Sequence, residues 1–151
     1  MGSTSKPKRV LPSEPVSETF FHGTSLDLLE DIKRDGLKCA CQPGMGCTAE
    51  FRDVADAVGV VCLTNDPKRA RFYALASTVA IRHHNFKETL IVEVDLEPLS
   101  ASYSSGRLPL EHRIPSEGEY PTEFDFRGSI PPQLLKFYKW DNDVRDYVLI
   151  E

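Results

Sequence analysis

The stretch Thr19–Lys38, "TFFHGTSLDLLEDIKRDGLK", places a strand-like run immediately before a helical pattern. The first residues are typical of a short strand, and the leucines and isoleucine after them repeat at helical spacing. Ser25 or Thr24 can supply the single capping hydroxyl that a helix start requires, which leaves His22 and Gly23 without a local structural reason. The turn around them either binds a ligand or is an ordinary turn.

Length and composition favour one globular domain. The chain has 151 residues, of which 40% are hydrophobic and 27% are charged, as in ordinary soluble proteins. Residues 1–17 mix Ser, Pro and Lys with few large apolar side chains, so we predict a flexible arm there and a single domain over residues 18–151. The net charge of −5 argues against a broad footprint on duplex nucleic acid, although a local basic patch could hold a phosphate chain.

The four cysteines lack the spacing of a structural zinc site. Cys39, Cys41 and Cys47 crowd into one stretch, Cys62 follows alone, and no paired C-x-x-C with a nearby histidine occurs. We therefore expect free thiols and no metal. The sequence contains no secretory or membrane-spanning apolar run, so we expect a cytoplasmic protein that does not bind membranes.

A second helix is predicted after the strand-like run "VGVVCLT". Asp66 is a suitable cap, Pro67 is a suitable first helical residue, and the pattern continues to about His83. One helical face carries small residues and a tyrosine, which would suit close approach by a strand or a flat ligand, while the other carries larger apolar residues and is predicted to be core. The two faces are Ala70, Tyr73, Ala74 and Ser77, and Phe72, Leu75, Ala76 and Val79.

Strands dominate the rest of the chain. Residues 123–127, "EFDFR", predict a strand with Phe124 and Phe126 on one face and Glu123 on the other, followed by a helical turn that begins with proline. The fold class is therefore α+β with two main helices. Two further segments are predicted to be strands, "TLIVEVDLEPL" and "RDYVLIE", and two to be long loops, 39–56 and 99–122.

Three fragments, in this order, resemble the motif regions of a known superfamily. They are residues 20–25, "FFHGTS", residues 59–74, "GVVCLTNDPKRARFYA", and residues 123–135, "EFDFRGSIPPQLL". Together they are similar to the ADP-ribosyltransferases, in the His-Tyr-Glu branch that includes diphtheria-toxin-like enzymes and the poly- and mono-ADP-ribose polymerases. The resemblance implies a fold in which two small antiparallel or mixed sheets form a cleft for NAD.

The resemblance also implies roles for four residues of the first fragment. His22 would hold a ribose hydroxyl of NAD, since a neutral imidazole can both donate and accept a hydrogen bond. Gly23 would present its backbone to the nicotinamide amide, because a side chain there would block a flat ring. Thr24 and Ser25 would assist, or would only cap the following helix.

The second fragment leaves two aromatic residues as candidates for stacking on nicotinamide. An alignment without a gap puts Phe72 at the position of the family's tyrosine, and Tyr73 follows it. Tyr73 lies three residues after Ala70, on the face of small residues, so helical geometry favours Tyr73.

The third fragment carries the catalytic carboxylate that the resemblance implies. Glu123 would stabilise the positive charge that grows on the ribose as its bond to nicotinamide breaks. The pair Glu117 and Glu119 is a rival, because arginine-directed ADP-ribosyltransferases use a Glu-x-Glu pair before the catalytic strand. Those enzymes, however, open with an arginine where this chain has His22.

These assignments predict a monomeric mono-ADP-ribosyltransferase that takes NAD as co-substrate and modifies a protein or a nucleic acid. Two alternatives stay open. An NAD-dependent RNA 2′-phosphotransferase would share the fold and would use basic residues such as Arg69 and Arg71. A catalytically inactive binding module is the second, and Phe72 at the tyrosine position would be its mark.

Overall fold

The computed structural model describes residues 8–16, 19–38, 60–76, 86–100, 110–112 and 123–150. The predicted loop over 39–56, the predicted helix end near His83, and the pair Glu117 and Glu119 lie outside these residues.

The described strands form one antiparallel sheet with the spatial order β4-β5-β2-β1-β3-β6-β7. Two main helices and one short helix accompany it, so the α+β class is confirmed, with one sheet where two were expected. The strands are β1 (Thr19–Ser25), β2 (Val60–Thr64), β3 (Thr89–Asp95), β4 (Leu110–His112), β5 (Glu123–Arg127), β6 (Leu135–Asp141) and β7 (Asp146–Leu149). The helices are α1 (Leu29–Asp35), α2 (Pro67–Ala76) and α3 (Glu97–Ser100). None of these described helices is long and apolar enough to cross a membrane.

Each face of the sheet has its own apolar core. Successive residues of a strand point to opposite faces, so Leu90 and Val92 of β3 pack with Ile32 of α1, whereas Ile91 packs with Ala70 and Ala74 of α2. The sheet is therefore covered by α1 on one face and by α2 on the other.

The first strand is longer than predicted and includes the residues that were predicted to form a turn. β1 continues through Ser25, so His22 and Gly23 lie within a strand rather than in a turn. A short 3-10 turn, Leu26–Leu28, leads into α1, and Ser25 occupies its cap position without a side-chain hydrogen bond to the backbone. The prediction that Ser25 caps this helix is wrong in that respect, because the strand pairing of β1 holds Ser25 inside the sheet.

α2 begins as predicted but turns a different face to the core. The backbone N–H of Lys68 donates to Asp66 Oδ1 at 2.9 Å, which confirms Asp66 as the cap. Ala70 and Ala74 are completely buried against the sheet, while Phe72 is 61% exposed. The prediction that Phe72 lies in the core is wrong, because Phe72 projects from the side of the helix that is turned away from the alanines.

Residues 8–16, the N-terminal strap, belong to the folded domain. Leu11 is 2% exposed, and its backbone N–H donates to Tyr147 O at 2.9 Å. The N–H of Leu149 donates back to Arg9 O at 2.8 Å. The predicted flexible arm over residues 1–17 is therefore wrong for this segment, because the strap is paired to β7 and places Leu11 in the core beneath α2.

Candidate functional site

The pairing between β1 and β2 is limited to a single pair of residues. β1 pairs with β3 over all seven of its residues, from Thr19 to Ser25. The β1–β2 ladder, by contrast, contains only the pair Phe21 and Thr64. Both strands are described along their whole length, so they diverge on the far side of Phe21, where His22 and Gly23 follow.

The imidazole of His22 bridges the two diverging strands. His22 is half-buried, and its Nδ1 lies 2.7 Å from the carbonyl oxygen of Cys62 in β2. A carbonyl oxygen can only accept, so Nδ1 carries the proton and donates. In the neutral ring Nε2 is then the acceptor, which means that the backbone of β2 selects the tautomer of His22.

Gly23 lies directly beneath α2. A Cβ built on Gly23 would come within 2.5 Å of Ala70 O and still closer to Ala74 N, both of which are backbone atoms of the helix. Contacts below 3.0 Å are not tolerated by real Cβ atoms, so this crossing requires glycine. The helix thus supplies the structural reason for Gly23 that the local sequence lacks, and it fills the side of Gly23 that faces α2.

Thr24 and Ser25 have little surface to offer a ligand. They are 5% and 3% exposed, at the end of β1 where it pairs with Leu90 and Thr89 of β3. In the described structure both side chains belong to the packed sheet.

The two aromatic residues of α2 form an edge-to-face pair. The ring centroids of Phe72 and Tyr73 are 5.7 Å apart at an interplanar angle of 66°. Tyr73 is half-buried beside the alanine stripe, whereas Phe72 is exposed. The structure therefore places Tyr73 nearer to the sheet than Phe72.

Arg71 is engaged on the opposite flank of α2. Its Nε and one terminal nitrogen donate to the two carboxylate oxygens of Asp146, each at 3.0 Å. Its two terminal nitrogens also donate to Leu11 O at 3.0 Å and to Pro12 O at 2.8 Å. A guanidinium committed to four acceptors is poorly suited to hold an RNA phosphate, which weighs against the phosphotransferase alternative.

Glu123, the first residue of β5, lies in the same row of the sheet as the single β1–β2 pair. It lies opposite Thr64, and Thr64 lies opposite Phe21, so the three backbone positions form one row across the sheet. His22 follows Phe21 in β1. The fold therefore brings the first and third predicted motifs into adjacent rows of the sheet, on two strands that are separated by β2.

A buried carboxylate that the sequence analysis did not single out lies on the other side of Phe21. Glu93 of β3 is 9% exposed and pairs in register with Phe21. Its Oε1 accepts a hydrogen bond from the Tyr138 hydroxyl at 2.9 Å, and Lys136 Nζ lies 3.8 Å from Oε2. Burial, and then the bond to Glu93, raise the pKa of Tyr138. The only sequence signal was one glutamate inside the apolar run "TLIVEV".

Within the described ranges, no group of three or more His, Cys, Asp or Glu side chains is arranged to hold a metal ion.

Comparisons with known proteins found similarity among solved structures and not among family models or curated proteins. No family model matches the chain, and no curated protein matches its sequence. Among solved structures, EcPltA is similar over 91% of this chain and 85% of its own, with a TM-score of 0.44 and 13% sequence identity. A likeness this remote assigns neither a family nor a function to the chain.

Proposed function

We propose that this protein is a mono-ADP-ribosyltransferase that binds NAD between β1 and β2, releases nicotinamide and transfers ADP-ribose to a protein or nucleic acid. The observation that carries the proposal is the bridging histidine: His22 lies where the two strands separate, with its ring oriented by the Cys62 carbonyl. The single pair between β1 and β2 lies at Phe21, immediately before His22.

The tautomer of His22 suits a ribose hydroxyl. With the Nδ1 proton directed at Cys62, Nε2 is the ring nitrogen that we assign to the hydroxyl of the nicotinamide ribose. Because the imidazole is already held in one orientation, it loses little conformational freedom when the sugar binds, which lowers the entropic cost of binding.

The packing around Gly23 restricts how nicotinamide reaches it. Because α2 fills the helix-facing side of Gly23, the ring approaches through the gap between β1 and β2. Tyr73, half-buried on the flank of α2, is the aromatic residue that we assign to stacking there. Stacking on a tyrosine contributes about 0.5–1.5 kcal/mol beyond the area buried.

Glu123 is the residue that we assign to the chemical step. As the bond between nicotinamide and C1 of the ribose breaks, positive charge develops on the sugar, and a fixed carboxylate stabilises that charge more than it stabilises bound NAD. Nicotinamide leaves with the bonding electron pair, and a nucleophile of the acceptor then attacks C1 and loses a proton. The row of paired residues from Phe21 through Thr64 to Glu123 supports this assignment. It aligns the backbone of Glu123 with Phe21, the residue that precedes His22.

The test is nicotinamide release from NAD, measured by chromatography with and without a cell lysate as acceptor source. We expect Glu123→Gln to lower turnover by a factor on the order of a hundred to a thousand with little change in NAD affinity. We expect Glu119→Gln to retain most of the turnover, and the exposed Glu30 of α1 gives a matched control in Glu30→Gln.

Three outcomes would contradict the proposal or part of it. Loss of turnover in Glu119→Gln alone would transfer the catalytic role to the Glu-x-Glu pair. NAD binding without any nicotinamide release by the unmodified protein would favour an inactive binding module. A protein that neither binds nor cleaves NAD would refute the proposal.

A further inference from the structure

We propose that Arg71 is a positioning residue, which clamps the N-terminal strap and β7 onto α2 and thereby sets where α2 lies over Gly23. The four hydrogen bonds of its guanidinium join three separate parts of the chain. They reach Asp146 of β7 and the carbonyl oxygens of Leu11 and Pro12 in the strap. The consequence for NAD binding rests on the function proposed above.

The contact between α2 and the sheet explains why such a clamp is needed. Ala70 and Ala74 meet Gly23, and none of the three has a side chain that can interlock with the opposite surface. The contact fixes how closely the helix approaches, but it resists sliding and rotation about the helix axis only weakly. An anchor on one flank of the helix supplies that resistance.

Arg71 occupies the flank from which such an anchor works. Residues of an α-helix follow one another at about 100°, so Tyr73 lies about 200° around the axis from Arg71. With Arg71 held at β7, a rotation of α2 that would move Tyr73 is opposed by a planar guanidinium bound to acceptors on two segments. The clamp is also partly shielded, since the side chains of Arg71 and Asp146 are 22% and 30% exposed.

A second contact between α2 and the strap provides a matched control. Lys68 Nζ lies 3.5 Å from Glu14 Oε1, and both side chains are well exposed. A pair of this kind has little effect on stability in water. Lys68→Gln therefore removes a charge from the same helix and a contact with the same strap without removing the clamp.

The experiment compares Arg71→Gln with Lys68→Gln, using readouts that do not require turnover and one that does. In Arg71→Gln we expect faster hydrogen exchange at the amides of Leu11 and Leu149, which hold the strap to β7. We also expect a changed NMR chemical shift for the Gly23 amide beneath α2. The KM for NAD should rise by about two- to ten-fold at nearly constant kcat, because Tyr73 is displaced from nicotinamide. Lys68→Gln should show none of these changes.

Arg71→Lys guards against simple misfolding, because it retains the charge that faces Asp146 but lacks the planar fork. We expect a stable protein with an intermediate KM. A looser strap with an unchanged Gly23 resonance and an unchanged KM would overturn the proposal, since the clamp would then hold the strap alone. If the unmodified protein releases no nicotinamide, the proposed function fails, and the Gly23 resonance by itself supports or refutes the positioning role.

Discussion

Replacing Gly23 by alanine tests the packing of α2 on β1 without any reference to NAD. The new Cβ would lie 2.5 Å from Ala70 O, whereas ordinary contact begins at 3.4 Å. α2 must therefore move away by about 1 Å, because the obstructing atoms belong to the helix backbone and cannot rotate aside. Overpacking of this kind destabilises a domain by about 1–3 kcal/mol.

The assay is thermal and urea unfolding of the purified variant in the absence of NAD. A loss of 1–3 kcal/mol corresponds to a melting temperature lower by about 2–12 °C for a domain of this size. Gly128→Ala is the comparison, since among the described residues a Cβ there would meet only the Phe126 ring, at 3.9 Å, and its φ of +113° is the expected source of any cost. Faster hydrogen exchange in α2 is expected for Gly23→Ala and not for Gly128→Ala. A Gly23→Ala protein that melts within 1 °C of the unmodified protein would refute the close crossing.

Three further predictions concern residues that the sequence alone placed differently or overlooked. Phe72→Ala should change the free energy of unfolding by less than about 0.5 kcal/mol because Phe72 is exposed. Tyr73→Ala should lower the free energy of unfolding more than Phe72→Ala does, and it should also weaken NAD binding more. Melting and NAD titration of both variants check this order. Leu11→Ala should cost about 2–5 kcal/mol in urea unfolding, whereas a flexible arm would show no loss. The pKa of Tyr138 is raised in the folded state, so the unfolded chain loses that proton first, and stability should fall as pH rises past about 10. Tyr138→Phe should flatten this part of the pH profile, and an unchanged slope would contradict the assignment.

The parts of the fold that were predictable from the sequence depend on local chemistry. Asp66 followed by Pro67 favours a helix start through contacts within that stretch itself. Gly36, with a φ of +80°, ends α1 because few other residues adopt that angle. The alternation of Phe124 and Phe126 likewise predicts one buried face of β5, and both side chains are buried.

The parts that were not predictable depend on partners far away in the chain. Either face of α2 could have met the sheet, and the choice follows from Gly23, which accepts the alanines and would exclude the larger side chain of Phe72. β6 was missed because only a proline-started helical turn was predicted after β5, whereas the 3-10 turn ends at Leu134 and a strand begins at Leu135. Leu11 and its neighbour Val10 lie among polar residues and prolines, so no periodic pattern predicts the burial of Leu11.

The residues of the candidate site stay predictions, and their arrangement in space did not follow from the sequence. His22, Tyr73 and Glu123 came from a resemblance between short fragments, whereas the bond from His22 to Cys62 spans 40 positions of the chain. No local pattern predicts which carbonyl a histidine will face. The buried pair of Glu93 and Tyr138 escaped for the same reason, since each residue is ordinary within its own strand.

The pairing of the strap with β7 has a consequence for how the protein is handled and for how it avoids self-association. A strand at the border of a sheet offers unpaired N–H and C=O groups to any other extended chain. Here the strap bonds to Tyr147 and Leu149 and pairs Val10 with Val148, so that border of the sheet is already occupied. A shortened chain that starts after Val16 would uncover it, and such a protein is expected to form strand-paired dimers or aggregates as its concentration rises. Expression of the domain for solution work should therefore retain the strap.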